Sequence, residues 1–464
     1  MLLDELIELI RIKEIKNKRN LTARIQGIAY NASKIKDNYL FVAIEGFKED
    51  GHSFIETAIE NGASALLVEK DIANNYNIPI IKTRDSRLAL AKLSKAFYNS
   101  ADEKILIIGI TGTNGKTSTA FLIEGICNKL GFKTALISTE KNKIGNKEVS
   151  AQLTTPESLN LHNFFQQMLN NQVDFAVVEV SSHSLKLNRV AGVDFDRQIF
   201  TNLGKDHLSF HDDVDDYFAA KAKLFEANKK PAIINIDDDY GKQMQEKAAG
   251  EVITYGLDKA ADFRATEIKS DLTGLSYSLE MPEGRYKVKL NLLGEVNVYN
   301  SLAAIATLVS FDFKIEKILD SISQIKGVSK RLEILQKNPL IIIDGAHNHQ
   351  GISSLKKTLA SFELGKIFVV LAIYKDKNID DMLKKVSSFA TEIIISENSK
   401  KRTAGVELLT KKAAKYTKSY TVIKDLEEAI DYSCQQAGKK DLILITGSLQ
   451  TAAEAYELVE GSDK

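Results

Sequence analysis

Short apolar runs alternate with amphipathic helical runs along the first hundred residues. YLFVAIEG, SALLVEK and IPIIKT have the composition of buried strands, whereas FIETAIENGA and SRLALAKLSKAFYNS repeat apolar residues at helical spacing. This alternation predicts a small α/β domain. The chain begins with MLLDELIELIRIKEIKNK, in which acidic residues lie within an apolar stripe, and we expect a short amphipathic helix there.

The same pattern resumes on a larger scale beyond residue 100. The apolar strand KILIIGI leads directly into TGTNGKT and a helical run, and the apolar segments KTALIST, DFAVVEV, RQIFTNL and PAIINID follow. Such strands, separated by helices, predict a parallel sheet covered on both faces. From about residue 261 to residue 292 polar and apolar residues alternate, which predicts an antiparallel hairpin before the helical run NVYNSLAAIATLVS.

A third unit begins near Arg331. Its strands RLEIL, LIIIDG, KIFVVLAI, EIIIS and DLILITG alternate with lysine-rich helical runs, which predicts a Rossmann-like, doubly wound sheet. The predicted fold is therefore α/β with three domains, at residues 1–100, 101–330 and 331–464. The central domain is predicted to be a parallel-sheet ATPase domain with a phosphate loop.

Composition restricts the partners of this protein. Lys and Arg together number 62, as do Asp and Glu, so no net charge draws the chain to nucleic acid or to an anionic membrane surface. The two cysteines, Cys127 and Cys434, form no disulfide or metal-ligand pattern. No apolar run approaches the roughly 18 residues that span a bilayer. We expect a soluble, cytoplasmic, monomeric protein that acts on small molecules.

The segment between the strand KILIIGI and its helix has the residues of a phosphate-binding loop. Lys116 is expected to reach the β and γ phosphates of ATP, and the hydroxyl of Thr117 to bind Mg²⁺. Ile110 replaces the first glycine of the common pattern, so the loop is a shortened variant. A glycine turn with a surface lysine is the alternative, but the flanking strand and helix favour ATP binding. The predicted ATP-binding residues of the loop are Gly112, Thr113, Asn114, Gly115, Lys116, Thr117 and Ser118.

Three polar residues further along the chain point to a cation site. Glu179 ends the apolar strand FAVVEV and His207 follows the next strand, at the sheet edge where parallel sheets bind ligands. Lys221 follows two alanines on an otherwise core-facing helix, YFAAKAKLF. Taken singly, His207 is more often a loop histidine and Lys221 a surface lysine. Their order behind one phosphate loop favours a shared metal site.

Read together, TGTNGKT, VVEVSSHSLKLNRV, FTNLGKDHLSFH and YFAAKAKLF resemble the Mur ligases, ATP-dependent enzymes that extend the peptide of peptidoglycan precursors. Within that family the chain is most similar to the type that adds the third residue. The resemblance runs from GIAYNASKI to NVYNSLAA. It implies that the first domain binds the acceptor, a UDP-sugar peptide, and that the ATP site lies between the second and third domains and is completed by their closure.

The resemblance also implies roles for individual residues. It implies that Glu179, His207 and Lys221 hold a second Mg²⁺, with Lys221 carrying a carbamate derived from CO₂, and that Lys116, Lys221 and His207 are catalytic. The implied substrate contacts are Thr154, Thr155, Ser181 and Arg189, and the implied further ATP contacts are Asn297, Asn300, Arg331 and Asp344. In the implied reaction the acceptor carboxylate becomes an acyl phosphate, which an amine then attacks.

Several segments depart from the family pattern. The Asp-Ser-Arg that contacts uridine diphosphate is here Asn31-Ala32-Ser33. The Asp-Asn-Pro-Arg that grips diaminopimelate is absent, with Glu397-Asn398-Ser399-Lys400 near its place, so we expect a different incoming amino acid. Segments similar to the folylpolyglutamate synthases are Asp344-Gly345-Ala346-His347-Asn348, Tyr374-Lys375-Asp376-Lys377 and Gly447-Ser448-Leu449.

Four functions compete on this basis. The main hypothesis is a ligase that adds an amino acid, such as lysine, to a muramoyl dipeptide. A folylpolyglutamate synthase is supported by the third domain and opposed by LFVAIEGFKEDGHSFIETAIENGASALLVEK, which resembles the Mur acceptor-binding domain. A ligase on a non-uridine acceptor, such as a pseudomurein precursor or a secondary metabolite, would accommodate the changed loop at residues 31–33. A nucleotide-binding regulator is opposed by the joint presence of Glu179, His207 and Lys221.

Overall fold

The N-terminal unit is a five-stranded sheet with three helices. The computed structural model describes residues 1–46, 49–72, 76–204, 210–258 and 260–461. The strands are β1 (Ile12–Lys16), β2 (Gly27–Ala29), β3 (Tyr39–Val42), β4 (Ala63–Val68) and β5 (Ile80–Thr83), and the helices are α1 (Leu3–Ile7), α2 (Ile55–Glu60) and α3 (Ser86–Phe97). The strand order is β1-β5-β4-β3-β2, and β1 alone pairs antiparallel within this described sheet.

The predicted N-terminal helix is wrong in its second half. Helix α1 ends at Ile7, and Ile12–Lys16 is an edge strand on β5. The segment IKEIK is more than half lysine and glutamate, and charged side chains are common on edge strands because they discourage pairing with other chains. The apolar residues of α1, by contrast, are buried against the sheet.

The central unit is an eleven-stranded sheet. Its strands are β6 (Leu106–Thr111), β7 (Thr134–Ile137), β8 (Lys141–Ile144), β9 (Lys147–Ser150), β10 (Phe175–Glu179), β11 (Arg197–Phe200), β12 (Ala232–Asn235), β13 (Val252–Gly256), β14 (Phe263–Asp271), β15 (Gly274–Met281) and β16 (Gly284–Leu290). Its helices are α4 (Lys116–Lys129), α5 (Ser158–Asn170), α6 (Ser182–Lys186), α7 (Val214–Glu226), α8 (Gly241–Lys247), α9 (Val296–Val309) and α10 (Ile315–Ser323). The order is β16-β15-β14-β13-β12-β11-β6-β10-β7-β8-β9.

Both ends of the central sheet are antiparallel. The predicted hairpin near residues 261–292 is a three-strand meander, β14 to β16, which joins the parallel sheet through β13. The hairpin β8–β9 at the other end was not predicted, because KNKI and KEVS carry few apolar residues. The parallel middle is covered on one face by α4, α9 and α10 and on the other by α5 and α7.

The C-terminal unit is a six-stranded sheet with five helices. Its strands are β17 (Glu333–Lys337), β18 (Leu340–Ile343), β19 (Ile367–Leu371), β20 (Glu392–Ile395), β21 (Tyr420–Val422) and β22 (Leu442–Thr446), and its helices are α11 (His349–Leu359), α12 (Ile379–Val386), α13 (Val406–Ala413), α14 (Leu426–Gln436) and α15 (Leu449–Gly461). The order is β17-β18-β22-β19-β20-β21, parallel except for β17. The predicted class, α/β with three sheets, is confirmed.

The strand order of the central sheet determines where a ligand can bind. Strand β6 lies between β10 and β11, so its loop to α4 emerges between the carboxyl ends of two neighbouring parallel strands. In open parallel sheets such a position is the usual ligand crevice. Within the described part of the chain, no helix is both long and apolar enough to cross a membrane.

Candidate active site

One large cavity brings most of the predicted residues together. It has a volume of about 990 Å³ and lies where the loops after β6, β10 and β11 face the loops after β18, β19 and β22 of the third sheet. The predicted residues that line it are Gly112, Thr113, Asn114, Gly115, Lys116, Thr117, Ser118, Thr154, Glu179, Ser181, Arg189, Lys221, Asn297, Asn300, Arg331 and Asp344. Thr155 is buried beside this lining, and His207 lies outside the described residues.

The loop that follows β6 is shaped by two glycines. Gly112 and Gly115 have φ values of 147° and 86°, a region that side chains disfavour. A β-carbon at Gly112 would lie 1.9 Å from Thr201 Oγ1, and one at Gly115 would lie 2.6 Å from Asn300 Oδ1. The loop can therefore pass this close to its neighbours only as glycine. Helix α4 begins at Lys116, which directs the backbone N–H groups of its first turn toward the cavity.

Lys116 is held by the loop that it belongs to. Its Nζ donates to the carbonyl oxygens of Gly112 at 2.8 Å and Thr113 at 2.9 Å. These two hydrogen bonds hold the ammonium next to the loop, where a phosphate oxygen can replace the carbonyl oxygens as its hydrogen-bond acceptor. Thr117, one residue on, is buried with its side chain among the cavity-lining groups.

Glu179 is the buried carboxylate of the site. It ends β10 and is completely enclosed, and its oxygens accept hydrogen bonds from the backbone N–H of Thr139 at 3.2 Å and from Thr139 Oγ1 at 3.0 Å. Among the described residues no three histidine, cysteine, aspartate or glutamate side chains form a ready metal cluster. Of the other two predicted ligands of this ion, Lys221 lines the same cavity as Glu179, and His207 lies outside the described residues.

Lys221 is buried beside the phosphate loop, as its place in the sequence suggested. It is 1% exposed, its Nζ donates to the carbonyl oxygen of Gly112 at 2.9 Å, and the ammonium lies 4.4 Å from the centre of the Tyr217 ring. The Tyr217 hydroxyl lies 3.1 Å from Thr113 Oγ1. Helix α7 thus supports the phosphate loop through two of its side chains.

The predicted acceptor contacts differ in accessibility. Thr154 and Ser181 line the cavity, whereas the hydroxyl of Thr155 donates to the carbonyl oxygen of Glu179 at 2.7 Å and accepts from the N–H of Ser181 at 3.0 Å. Arg189 is held by an ion pair of its Nε with Glu157 at 2.9 Å. Thr155 thus orders the strand end that carries Glu179, while the others face the cavity.

Two asparagines of α9 lie behind the phosphate loop. Asn300 Nδ2 donates to Asn297 Oδ1 at 2.9 Å, and Asn300 Oδ1 accepts from Thr119 Oγ1 at 3.3 Å. Asn297 also lines a second, smaller cavity of about 190 Å³, together with Ser118, Phe121, Leu292, Ile325, Val328 and Arg331. Its mostly apolar lining next to the loop suits a nucleobase.

Asp344 and Arg331 form the part of the site contributed by the start of the third unit. Asp344 accepts from the backbone N–H of Leu332 at 2.9 Å and of Ala346 at 2.7 Å. Burial raises the pKa of the Asp344 carboxyl, while the Arg331 guanidinium and these two N–H groups oppose the rise. Arg331 lines both cavities, and its Nε makes no hydrogen bond in the described part of the chain.

Three residues to which the sequence assigned no individual role, Asn348, Gln350 and Arg402, complete the cavity. Asn114 Nδ2 donates to Gln350 Oε1 at 3.0 Å, and Asn348 Nδ2 donates to Asn114 Oδ1 at 3.3 Å, so the third unit contacts the phosphate loop directly. Arg402 lines the cavity with its guanidinium stacked 3.7 Å from the centre of the Tyr374 ring. Asn348 belongs to the segment 344–348, which is similar to the folylpolyglutamate synthases. No local sequence signal indicates that Arg402 stacks on Tyr374.

Lys400, the residue nearest to the missing diaminopimelate arginine, is exposed and is absent from the cavity lining. Its neighbour Asn398 is buried, and Asn398 Nδ2 donates to Ser448 Oγ at 3.2 Å and Thr451 Oγ1 at 3.0 Å. In the first unit, Asn31 accepts from the N–H of Ser33 at 3.0 Å as a helical cap, and Ala32 is buried. Asn398 therefore hydrogen-bonds to other side chains of the protein, and Ala32 packs in its interior.

A phosphate loop, a buried carboxylate and a buried lysine around one interdomain cavity are typical of an ATP-dependent enzyme. Three family models match the chain: "Mur ligase family, catalytic domain" at residues 24–98, "Mur ligase middle domain" at residues 110–308, and "Mur ligase, glutamate ligase domain" at residues 330–449. The chain belongs to the Mur ligase family, the ATP-dependent ligases that form an amide bond between a carboxylate and an amine.

Curated relatives match over nearly the whole chain. A protein of Caldanaerobacter subterraneus subsp. tengcongensis is 36% identical, covering 98% of this chain and 95% of its own length. A protein of Clostridium perfringens is 37% identical, covering 99% and 96%. Both are named UDP-N-acetylmuramoyl-L-alanyl-D-glutamate--2,6-diaminopimelate ligase.

Solved structures share the fold. A structure titled as the same diaminopimelate ligase has a TM-score of 0.73 at 24% identity and covers 100% of this chain and 99% of its own. A Mycobacterium tuberculosis folylpolyglutamate synthase complexed with ADP and AMPPCP has a TM-score of 0.70 at 21% identity, and covers 80% and 95%. The second match thus leaves a fifth of this chain without a counterpart.

Proposed function

We propose that this protein uses ATP to join an amino acid to a UDP-N-acetylmuramoyl dipeptide, in the synthesis of a cell-wall precursor in the cytoplasm. The observation that carries the proposal is the shared cavity of Lys116, Glu179 and Lys221. Phosphate transfer to a carboxylate needs a cation for the phosphates and a metal ligand at one place. The names of relatives that match 98% and 99% of this chain support the acceptor.

The proposed ATP site follows from the lining of the two cavities. The loop from Gly112 to Ser118 would hold the phosphates, with Lys116 turning from the loop carbonyls to the β and γ phosphates. The base would lie in the smaller cavity beside Asn297 and Asn300. Arg331 and Asp344 would contact phosphate and ribose, which is supported by the uncommitted Nε of Arg331.

The residues present fit Mg²⁺. The hydroxyl of Thr117 and the carboxylate of Glu179 are oxygen ligands of the kind that Mg²⁺ prefers, and both groups line the cavity. Thr117 would hold one ion together with the ATP phosphates and Glu179 would hold the second, and both ions would offset the negative charge that gathers on the transferred phosphoryl group. His207, which lies outside the described residues, stays a predicted ligand.

A carbamate on Lys221 would add the second anionic ligand. The neutral Nζ attacks CO₂, one proton is released, and the side chain changes from a cation to an anion with two oxygens. The proposal is supported by the burial of Lys221 against the phosphate loop, because an ammonium there would repel the metal that the phosphates need. Tyr217 beneath the amine would hold the modified side chain in line with the loop.

The reaction then proceeds in two steps on this chain's residues. Ser181, Thr154 and Arg189 would orient the acceptor so that its carboxylate attacks the γ-phosphorus, ADP departs, and Lys116 stabilises the charge on the phosphates. The amine of the incoming amino acid next attacks the acyl carbon. The carbon–oxygen bond breaks and inorganic phosphate leaves with the bond's electron pair.

The proposed amine site is at Arg402 and Tyr374. Stacking on Tyr374 presents the guanidinium edge to the cavity, and an Arg edge binds a carboxylate through two parallel hydrogen bonds. Asp376 lines the same wall and suits an ammonium. One planar fork and one carboxylate favour an amino acid with a side-chain amine and a single carboxylate, such as lysine, over diaminopimelate, although the relatives are named for the latter.

The proposal is tested by ADP release from the purified protein with ATP, Mg²⁺, UDP-N-acetylmuramoyl-L-alanyl-D-glutamate and single amino acids. We expect ADP and a tripeptide product with this acceptor, and no turnover with a folate and glutamate. A folylpolyglutamate synthase is the second candidate, because the ADP-complexed synthase shares the fold over 80% of this chain. Turnover with the folate and none with the muramoyl dipeptide would establish that candidate instead.

A further inference from the structure

Ser182, His211 and Asp216 form a hydrogen-bonded chain next to the proposed acyl-phosphate site. Ser182 Oγ lies 2.9 Å from His211 Nε2, and His211 Nδ1 lies 3.0 Å from Asp216 Oδ2. Ser182 and His211 are each 2% exposed. A neutral imidazole has one donor and one acceptor nitrogen, so the carboxylate at Nδ1 requires N–H there and leaves Nε2 to accept from the serine hydroxyl.

The surrounding elements hold this chain in place. Ser182 is the first residue of α6, three residues beyond Glu179, and Asp216 lies in the first turn of α7, where its N–H donates to the capping Asp213 at 2.7 Å. Asp216 Oδ2 also accepts from Lys186 Nζ at 2.6 Å. This bond to Lys186 is the main cause that lowers the pKa of Asp216 to about 2, so the carboxylate stays ionised.

Among these three residues, only Ser182 reaches the cavity. It lines the same wall as Glu179 and Thr154, whereas His211 is enclosed by ring contacts with Phe210 and Tyr217. The imidazole is therefore shielded from water and is reached from the cavity through the serine hydroxyl. A histidine with a purely structural role would not need a hydrogen bond to a serine that lines the cavity.

We propose that Ser182 takes the proton released by the attacking amine and passes its own proton to His211 Nε2, with Asp216 holding the imidazolium that forms. The inference rests on the proposed ligase function and supplies its missing base. Ser182 is the catalytic residue, since it would touch the amine, and His211 and Asp216 are positioning residues that act through it.

The step balances in protons and electrons. The incoming amine binds as an ammonium, and one N–H proton moves to Ser182 Oγ while the serine proton moves to His211. The neutral nitrogen then bonds to the acyl carbon and gives its second proton to the departing phosphate. The carbon–oxygen bond to phosphate then breaks, and inorganic phosphate leaves. After product release the imidazolium returns its proton through Ser182 to water, and no oxidant or further reactant is needed.

The charges around His211 suit an acceptor of protons. Burial lowers the pKa of His211, the adjacent Asp216 opposes that change, and the more distant Lys186 adds to it, as Lys221 does only while it is an unmodified ammonium. His183, on α6, faces the ring at 6.0 Å between ring centroids, and the ring of Tyr217 lies at 4.9 Å. The net direction keeps His211 neutral in the resting protein, which leaves Nε2 open to a proton.

Comparing two nucleophiles, lysine and hydroxylamine, separates the proton relay from the formation of the acyl phosphate. Hydroxylamine is already neutral at neutral pH, so it captures an acyl phosphate as a hydroxamate without a base. For Ser182→Ala and His211→Gln in the full-length protein with UDP-N-acetylmuramoyl-L-alanyl-D-glutamate, ATP and Mg²⁺, we expect kcat for amide formation with lysine to fall about 100-fold. KM for lysine and the rate of hydroxamate formation should change little.

Asp215→Asn is the matched control, because Asp215 is exposed on the same turn and carries the same charge as Asp216. It should leave both rates unchanged, whereas Asp216→Asn should lose amide formation. The relay is overturned if both rates fall together in variants that keep the wild-type circular dichroism and thermal midpoint, or if neither falls. Absence of hydroxamate from the unaltered protein would instead overturn the acyl-phosphate proposal, so the two failures are distinguishable.

Discussion

Lys221 donates a hydrogen bond from Nζ to the carbonyl oxygen of Gly112, 2.9 Å away, and so joins helix α7 to the first glycine of the phosphate loop. The contact is almost completely buried. Water does not screen a buried charge, so the charge on Lys221 acts strongly on the phosphates and the Mg²⁺ proposed to bind beside it. The lysine can serve the reaction only if its charge is compatible with both. The state of this amine is therefore central to the mechanism.

Lys221→Ala should be folded and nearly inactive, because it removes both the proposed carbamate and the contact with the loop. Formate or acetate should restore part of the rate by placing a small carboxylate in the vacated space. Steady-state ADP release with and without added formate measures both effects. Lys223→Ala, on the exposed side of the same helix, should lose little activity. Full activity of Lys221→Ala would contradict the assignment.

Lys116→Ala should reduce turnover by about 100-fold or more, since the phosphates lose a preorganised cation. The fold should survive, because the hydrogen bonds from Lys116 Nζ to the carbonyl oxygens of Gly112 and Thr113 lie within the loop itself. The check is ADP release together with circular dichroism. Lys129→Ala, at the far end of the same helix, is the control and should retain the wild-type rate. A folded Lys116→Ala protein within about tenfold of wild type would remove Lys116 from the mechanism.

Arg402→Ala should raise KM for the incoming amino acid while KM for ATP stays unchanged. The loss of a bidentate bond to a carboxylate is worth about 2 kcal/mol, or roughly 30-fold in KM. Arg402→Lys should recover little, because an ammonium is a point donor rather than a planar fork. Lys400→Ala should have no effect, since Lys400 is exposed outside the cavity.

Competition among amines tests the same wall of the cavity. With lysine, ornithine, glutamate and diaminopimelate present together, we expect lysine or ornithine to be incorporated in preference to diaminopimelate, as measured by mass spectrometry of the product. Preferred incorporation of diaminopimelate would show that Arg402 and Asp376 do not select the amine.

His162 should make the stability of the protein pH-dependent. It is fully buried, and burial lowers its pKa to about 4, although Asp102, 3.8 Å away, opposes the shift. The unfolded chain binds more protons between about pH 4 and about pH 6.5, so the free energy of unfolding falls as pH falls through that window. At about pH 5 the loss is roughly 2 kcal/mol.

Urea unfolding of wild type and His162→Phe at about pH 7.5 and about pH 5 isolates this contribution. The variant should lose less stability on acidification than wild type. His349→Gln, at an exposed histidine, should behave as wild type does. Equal pH dependence of wild type and His162→Phe would show that His162 is not held neutral in the folded state.

Much of the fold followed from the sequence because apolar strands and glycine loops are local signals. The strand before Gly112 and the helix after it were predicted from short segments, and the three-sheet architecture is confirmed. The segment around Lys221 alone favoured a surface lysine, and only its order behind the phosphate loop favoured a place in the site. The errors fall where local signals are weak or mixed. Ile12–Lys16 resembles a helix in composition but pairs with β5, a partner some 65 residues away along the chain that spacing rules cannot reveal.

The candidate site shows the same limit more clearly. Ser182 and His211 are 29 residues apart, and no pattern in the sequence between them predicts that their side chains form a hydrogen bond. Comparison with the diaminopimelate motif indicated Lys400, because it stands near the position of the motif's arginine. In the structure it is Arg402, two residues further on, that lines the cavity. Contacts made by tertiary packing depend on how separate elements cross, so they become visible only in the structure.

The transfer of a heavy oxygen isotope from the acceptor tests the central claim most directly. The dipeptide acceptor is prepared with both terminal carboxylate oxygens labelled, and the products of one round of ligation are analysed by mass spectrometry. An acyl phosphate predicts ADP and one labelled oxygen in the inorganic phosphate, because the bond that breaks joins the acyl carbon to a former carboxylate oxygen. Formation of AMP and pyrophosphate, or inorganic phosphate without label, would contradict the proposed reaction.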